Sequence, residues 1–205
     1  MSDEPAAATM IDVAYALEGE TLPWDYRFLL ADALERAAPW LGGAAGAGVH
    51  RLNLVQGGGR EAMLSRRTRL ILRLPRELAD AACALAGAEL SVAGRRLRLG
   101  AAQRRELQHH RTLYAHLVAA AGAGELDFMR AVQDELVRLG VRCVPVCGLH
   151  QVVEAGALSG FSLMLDGLLP DQSLRVLDAG LGAHRRLGCG LFVGHKSAAA
   201  VGTPP

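Results

Sequence analysis

Six segments follow one another in the same order twice along this chain: strand, helix, strand, strand, helix, strand. In the first half, Met10–Leu17 alternates apolar and polar residues as a strand does. Pro23–Leu41 has helical spacing, with Phe28, Leu29, Ala33, Leu34 and Ala37 on one face and Pro23 near the start. Val49–Val55 and Arg66–Leu74 read as strands, Pro75–Leu85 as a short helix opened by proline, and Ala88–Gly100 as a strand or hairpin. In the second half, Thr112–Ala120 is a strand and Glu125–Gly140 an amphipathic helix ended by glycine. Two strands then meet at a turn around Glu154–Gly156, Pro170–Gly180 is a helix, and "GLFVGHK" closes the unit. The expectation is an α+β chain of two tandem ferredoxin-like (βαββαβ) domains. They span residues 10–100 and 112–195, with a linker at 101–111 and disordered tails at 1–9 and 196–205.

With 205 residues, two such units fit, each large enough for its own core. The net charge is only +1, so the chain is not globally basic, but Lys196 is its only lysine against 21 arginines. A GC-rich genome explains that excess on its own; arginine's fitness for bidentate phosphate contacts is the other explanation, and position must choose. The cysteines 83, 143, 147 and 189 form no CxxC pair, which favours reduced, packed thiols and no metal site. The acidic "MSDEPAAAT" start lacks a basic and apolar leader, and no apolar run reaches the roughly 20 residues of a membrane span. A cytoplasmic protein without membrane contact is expected.

Arginine is not evenly spread. On "RRTRLILRL", alternation sends Arg67, Arg69 and Arg73 to one face and the leucines to the other. Arg96 and Arg98 share a face of the neighbouring candidate strand, Arg104, Arg105 and Arg111 sit in the linker, and Arg185 and Arg186 occur in "GLGAHRRLGCGLF". Segregated cations on a near-neutral chain suit a local nucleic-acid groove as well as they suit a solvated sheet face. The glycines of that last stretch, from Gly180 to Gly190, permit either a tight connection or a close approach by a phosphate-bearing ligand.

A tandem ferredoxin-like chain ending in G-Φ-G-x(5)-G-Φ-G resembles the RAMP superfamily of CRISPR systems, and within it the endoribonuclease that processes precursor CRISPR RNA. Here the loop is Gly180-Leu181-Gly182, five residues, then Gly188-Cys189-Gly190. "TLPWDYRFLLADALERAAP", "TLYAHLV" and "LSGFSLMLDGL" add to a likeness with a short bacterial branch that spans about Met10 to Val193. The resemblance implies cleavage of CRISPR repeat RNA without metal or other cofactor. The ribose 2′-hydroxyl attacks its own phosphate and leaves a 2′,3′-cyclic phosphate and a 5′-hydroxyl. It implies repeat RNA and mature crRNA as partners, with other effector-complex subunits as further ones in relatives that retain their product. It does not give the oligomeric state.

That reaction needs a base at the 2′-oxygen, an acid at the leaving 5′-oxygen and cations at the phosphate. His50, just after the first helix, matches the family's catalytic histidine by location. Tyr26 stands where relatives often carry a histidine, and as a phenol it suits hydrogen-bond donation better than base catalysis. Gly182, His184, Arg185, Arg186, Gly188 and Gly190 are the loop's candidates for holding RNA, beside Arg67, Arg69, Arg73, Arg96, Arg98, Arg104 and Arg105. His116 alternates with Tyr114 and reads equally as structural, while His109 and His110 read as solvated. Aromatic residues make up 4% of the chain, so RNA is expected to be read by backbone, shape and arginine rather than by extensive stacking. Two alternatives remain at this level: a catalytically silent repeat-binding subunit of the same fold, and a ferredoxin-like ligand-binding regulatory module.

Overall fold

The computed structural model describes residues 8–59, 61–120, 122 and 124–196. The first unit runs β1 (Met10–Glu18), β2 (Thr21–Pro23), α1 (Arg27–Ala37), β3 (Gly48–Val49), β4 (Val55–Gln56), β5 (Glu61–Met63), β6 (Arg69–Pro75), α2 (Ala79–Cys83), β7 (Glu89–Val92) and β8 (Arg95–Glu106). The second runs β9 (Leu113–Ala119), α3 (Glu125–Arg138), β10 (Val144–Val153), β11 (Leu158–Asp166), α4 (Pro170–Ala179) and β12 (Val193–Gly194). The first sheet is ordered β3-β6-β1-β8-β7 and the second β10-β11-β9-β12, with every neighbouring pair antiparallel. In both, the unit's first and third strands lie side by side at the centre and its second and fourth flank them. That is the ferredoxin-like order, present twice.

Alternation explains how each sheet makes a core. On β1, Ile11, Val13, Tyr15 and Leu17 turn towards the helices and pack with Leu70, Leu72 and Leu74 of β6, Leu97 and Leu99 of β8, and Leu30 and Leu34 of α1. Each fully buried leucine contributes roughly 1.5–3 kcal/mol. The Tyr15 hydroxyl, buried with its ring, donates to the Ala82 carbonyl at 2.6 Å and so ties α2 to the sheet. The second core forms the same way from Leu113, Phe128, Val132, Leu163, Leu165 and Val176, with Phe128 stacked on Phe161 at 4.8 Å.

The helix-free face of the first sheet is where the second unit docks. Register places Asp12 opposite both Arg73 and Arg105, so all three share that face. Arg73 is 2% exposed. Its guanidinium grips Asp12 at 2.8 and 3.0 Å and donates to the carbonyls of Leu177 and Phe192 in the second unit at 3.2 and 2.8 Å. Arg27, also buried, donates from its backbone to Glu154 at 3.1 Å and from its guanidinium to the Leu187 carbonyl at 2.8 Å. Buried charges persist only when paired in this way.

Several sequence expectations change here. α1 begins at Arg27, because Pro23 belongs to β2, where it faces Glu61. The buried stripe is then Leu30, Ala33 and Leu34, and Phe28 and Leu29 are turned outward. Of Val49–Val55 only the two ends are paired strand, and residues 50–54 leave the ladder. β8 continues to Glu106 because β1 offers it a full-length partner as far as Ile11, which absorbs much of the expected linker. Most of both expected tails lies outside the described residues. Thr9 is not loose: its N–H and hydroxyl donate to Asp178 at 2.9 and 3.0 Å. Among the described residues, no helix is long and apolar enough to cross a membrane.

Candidate active site between the two units

β3 pairs with β6 through Gly48 and Val49, and the His50 N–H extends that alignment by bonding the Ile71 carbonyl at 2.9 Å. The chain then departs from the sheet and is held at two further points. The Leu52 N–H donates to the buried Tyr26 hydroxyl at 2.8 Å, and the Thr68 hydroxyl donates to the Asn53 carbonyl at 3.0 Å. Held so, residues 50–53 form one wall of a cleft of about 310 Å³. Tyr114 and His116 of β9 face it, and Gly188, Leu191 and Val193 close the end.

His50 Nε2 is buried without a hydrogen-bond partner and points at Asp12 Oδ1, 3.6 Å away and beyond bonding reach. Burial lowers the imidazole's proton affinity; Asp12 opposes this, and the charges of Arg73 and Arg185 add to it, so the net shift is downward and the ring is neutral at neutral pH. Burial alone would raise the Asp12 carboxyl, but His50 and the bidentate Arg73 outweigh it and hold it well below the usual carboxylate range. A neutral imidazole over a fixed carboxylate is a competent general base. With Nε2 turned to Asp12, Nδ1 is the nitrogen left for a substrate. Arg51, exposed beside it, reaches across to His116 Nε2.

Tyr26 is built into the core beside the cleft. It is 5% exposed, its oxygen holds the Leu52 N–H, and burial raises its pKa. Through that bond it holds the chain just past His50. Arg73 is likewise occupied within the protein, its donors spent on Asp12 and the second unit's carbonyls. Arg104 lies on the helix side of β8 and pairs with Asp80 of α2. Arg69 bonds the Arg66 and Thr68 carbonyls at 2.8 and 2.9 Å. Arg67, Arg96, Arg98 and Arg105 stay exposed, with Arg96 and Arg98 each 3.6 Å from a glutamate, Glu89 and Glu18.

The glycine-rich loop closes on the protein itself. The Gly190 N–H donates to the Leu117 carbonyl at 2.8 Å, its carbonyl accepts from Leu181 at 3.2 Å, and a Cβ there would stand 1.9 Å from the Leu181 oxygen. Gly188, at φ +79°, lies against the Val49 carbonyl and the Arg51 nitrogen, where a Cβ would be 3.1 and 3.4 Å away. Gly188 lets the loop press on the His50 segment, and Gly190 lets it fold back against Leu181. The Gly182 N–H is taken by Glu135 at 2.8 Å. Arg185 bonds the Asp178 and Ala179 carbonyls at the C-terminus of α4, where a cation is favoured. His184 and Arg186 are exposed, the latter beside Glu35.

Arg51 and Asn53 were missed by the sequence reading, although their place beside His50 was a usable signal. His116 gave no sequence signal beyond its alternation with Tyr114, because only the docking of the units brings it to the cleft.

Two ferredoxin-like units thus meet over a cleft lined by histidine and arginine, with a glycine-rich loop at the joint. A solved structure described as "CRISPR associated protein Cas6" shares the fold at a TM-score of 0.67 and 8% identity, covering 91% of this chain and all of that one. Another, described as "An RAMP protein binding different RNA substrates", aligns at 0.60 and 13% identity over 89% of this chain and 98% of that one. The model of the Cas6 family, described as "Cas6 Crispr", matches residues 11–197. A Myxococcus xanthus protein named CRISPR-associated endonuclease Cas6 is 36% identical over 194 residues, covering 93% of this chain and 84% of that protein. This chain belongs to the Cas6 family of CRISPR-associated endonucleases.

Proposed function

We propose that this chain cuts CRISPR repeat RNA to release mature crRNA, in the cleft between its two units and without a metal ion. The observation that supports this best is His50, set beside Asp12 on one wall of the cleft with Arg51 next to it. In this reading His50 Nδ1 takes the proton of the ribose 2′-hydroxyl, the 2′-oxygen attacks the adjacent phosphorus, and Arg51 meets the charge that builds on the phosphoryl oxygens. The products are a 2′,3′-cyclic phosphate and a 5′-hydroxyl. Exposed Arg67, Arg96, Arg98 and Arg105, with His184 and Arg186 on the glycine-rich loop, are the groups left free to meet RNA backbone. Their carboxylate partners are solvent-accessible, and such pairs hold each other by only ~0–1 kcal/mol, so a phosphate can replace them.

The test uses the full chain and a synthetic RNA of the cognate repeat in excess EDTA. The expected result is cleavage at one position, leaving a fragment whose 3′ end resists phosphatase until acid opens its cyclic phosphate. Binding without cleavage would instead favour the silent repeat-binding subunit.

A further inference from the structure

We propose that His116 of β9 is a second catalytic residue, the general acid that protonates the leaving 5′-oxygen, and that Arg51 releases it by moving to the scissile phosphate. This rests on the proposed cleavage and adds a proton donor from the second unit, opposite His50.

His116 and His50 line the same cleft from different units, and Arg51 links them: it follows His50 in the chain and its Nη1 sits on His116 Nε2. A guanidinium has only donors, so Nε2 accepts and His116 is neutral in the free protein. The groups around the ring agree. Burial and Arg51 lower its proton affinity, a hydrogen bond with its own backbone opposes them, Arg27 of α1 adds to the fall, and Tyr114 meets it edge-on at 5.5 Å. Gln151 holds its backbone carbonyl at 2.6 Å, which fixes this part of β9 as one wall of the cleft. A phosphodiester entering the cleft offers Arg51 a better partner than an imidazole nitrogen. When Arg51 turns to it, His116 loses a neighbouring cation and gains a neighbouring anion. Both changes favour imidazolium, which is the form a general acid requires.

The step balances without any co-reactant. The O2′–P bond forms as the P–O5′ bond breaks; the 2′-hydroxyl proton passes to His50, and the His116 proton passes to O5′. His116 takes its proton from solvent as RNA binds and Arg51 turns away, and His50 afterwards returns one to solvent, so both rings end neutral as in the free protein.

A substrate with sulfur in place of the scissile 5′-oxygen isolates this role, because a thiolate leaves without a proton. On the all-oxygen repeat RNA, His116→Ala should cleave about 10²–10⁴-fold more slowly than wild type at unchanged binding affinity. On the 5′-thio RNA it should come within tenfold of wild type. His116→Gln, which keeps an acceptor for Arg51, should behave like the alanine variant, whereas Arg51→Ala should lose rate on both RNAs. Equal loss on both RNAs by the His116 variants, loss explained by weaker binding, or all-oxygen cleavage within tenfold of wild type would each overturn the inference. If the wild-type chain cuts neither RNA, the enzyme reading falls and this inference with it; if it cuts both and His116→Ala is indifferent, only the inference falls.

Discussion

The two units share a topology but shorten opposite strands. In the first, the second strand of the repeat is the stub β3, two residues long, while the fourth, β8, runs to twelve. In the second, β10 has ten residues in the second place and β12, in the fourth, is the stub of two. Each stub adjoins a glycine-rich stretch, "GGAAGAG" running into β3 and "GLGAHRRLGCG" before β12. Both stubs lie at the joint between the units, and the residues beside them line the cleft: His50 to Asn53 after β3, and Gly188, Leu191 and Val193 around β12. A strand cut short frees its continuation from the ladder, so side chains beyond it can be aimed by other contacts. The full-length strands build the cores, and the stubs, faced by Tyr114 and His116 of β9, build the site.

That contrast can be broken at the joint first. Arg73→Ala removes the group that binds Asp12 and two carbonyls of the second unit, leaving a buried carboxylate unpaired. A loss of ~3–5 kcal/mol in unfolding free energy is expected, measured by urea denaturation. A loss under 1 kcal/mol would mean that the units do not depend on this clamp.

Tyr26→Phe sharpens the distinction between shaping the site and doing its chemistry. It deletes the acceptor of the Leu52 N–H, which should cost ~1–3 kcal/mol of stability and lower cleavage less than tenfold. A hundredfold fall in rate with normal stability would place Tyr26 in the catalytic set. The smallest effect belongs to the long strand β8. Arg98→Ala should change stability by less than ~0.5 kcal/mol, because its pairing with Glu18 is exposed. It should weaken RNA binding and lower the salt-dependence slope by about one, as read from binding isotherms across a salt series.

The fold was legible because both repeats follow the alternation of strands and the 3.6-residue period of helices. The order of elements therefore survived boundary errors such as the late start of α1. The site was legible only in part. His50 was in view through its place after the first helix. Arg73 was not readable as a clamp, since alternation puts it on the helix-free face but says nothing of a second unit covering that face. Tyr26 and the glycines are ambiguous in sequence for a related reason. A phenol beside a histidine, or a glycine beside an arginine, has the same local pattern whether it faces a ligand or another segment of the same chain. Arg104 and His116 depended on geometry as well: the first on which face of β8 it takes, the second on the docking of one unit against the other.

The measurement closest to the centre of this account is the single-turnover cleavage rate of His50→Ala on cognate repeat RNA in EDTA, alongside its binding constant and melting curve. With His50 as the base at the joint of the two units, the rate should fall by about 10²–10⁴ while binding and melting stay near wild type. A variant that binds, melts and cuts like wild type would contradict the placement of the chemistry in this cleft.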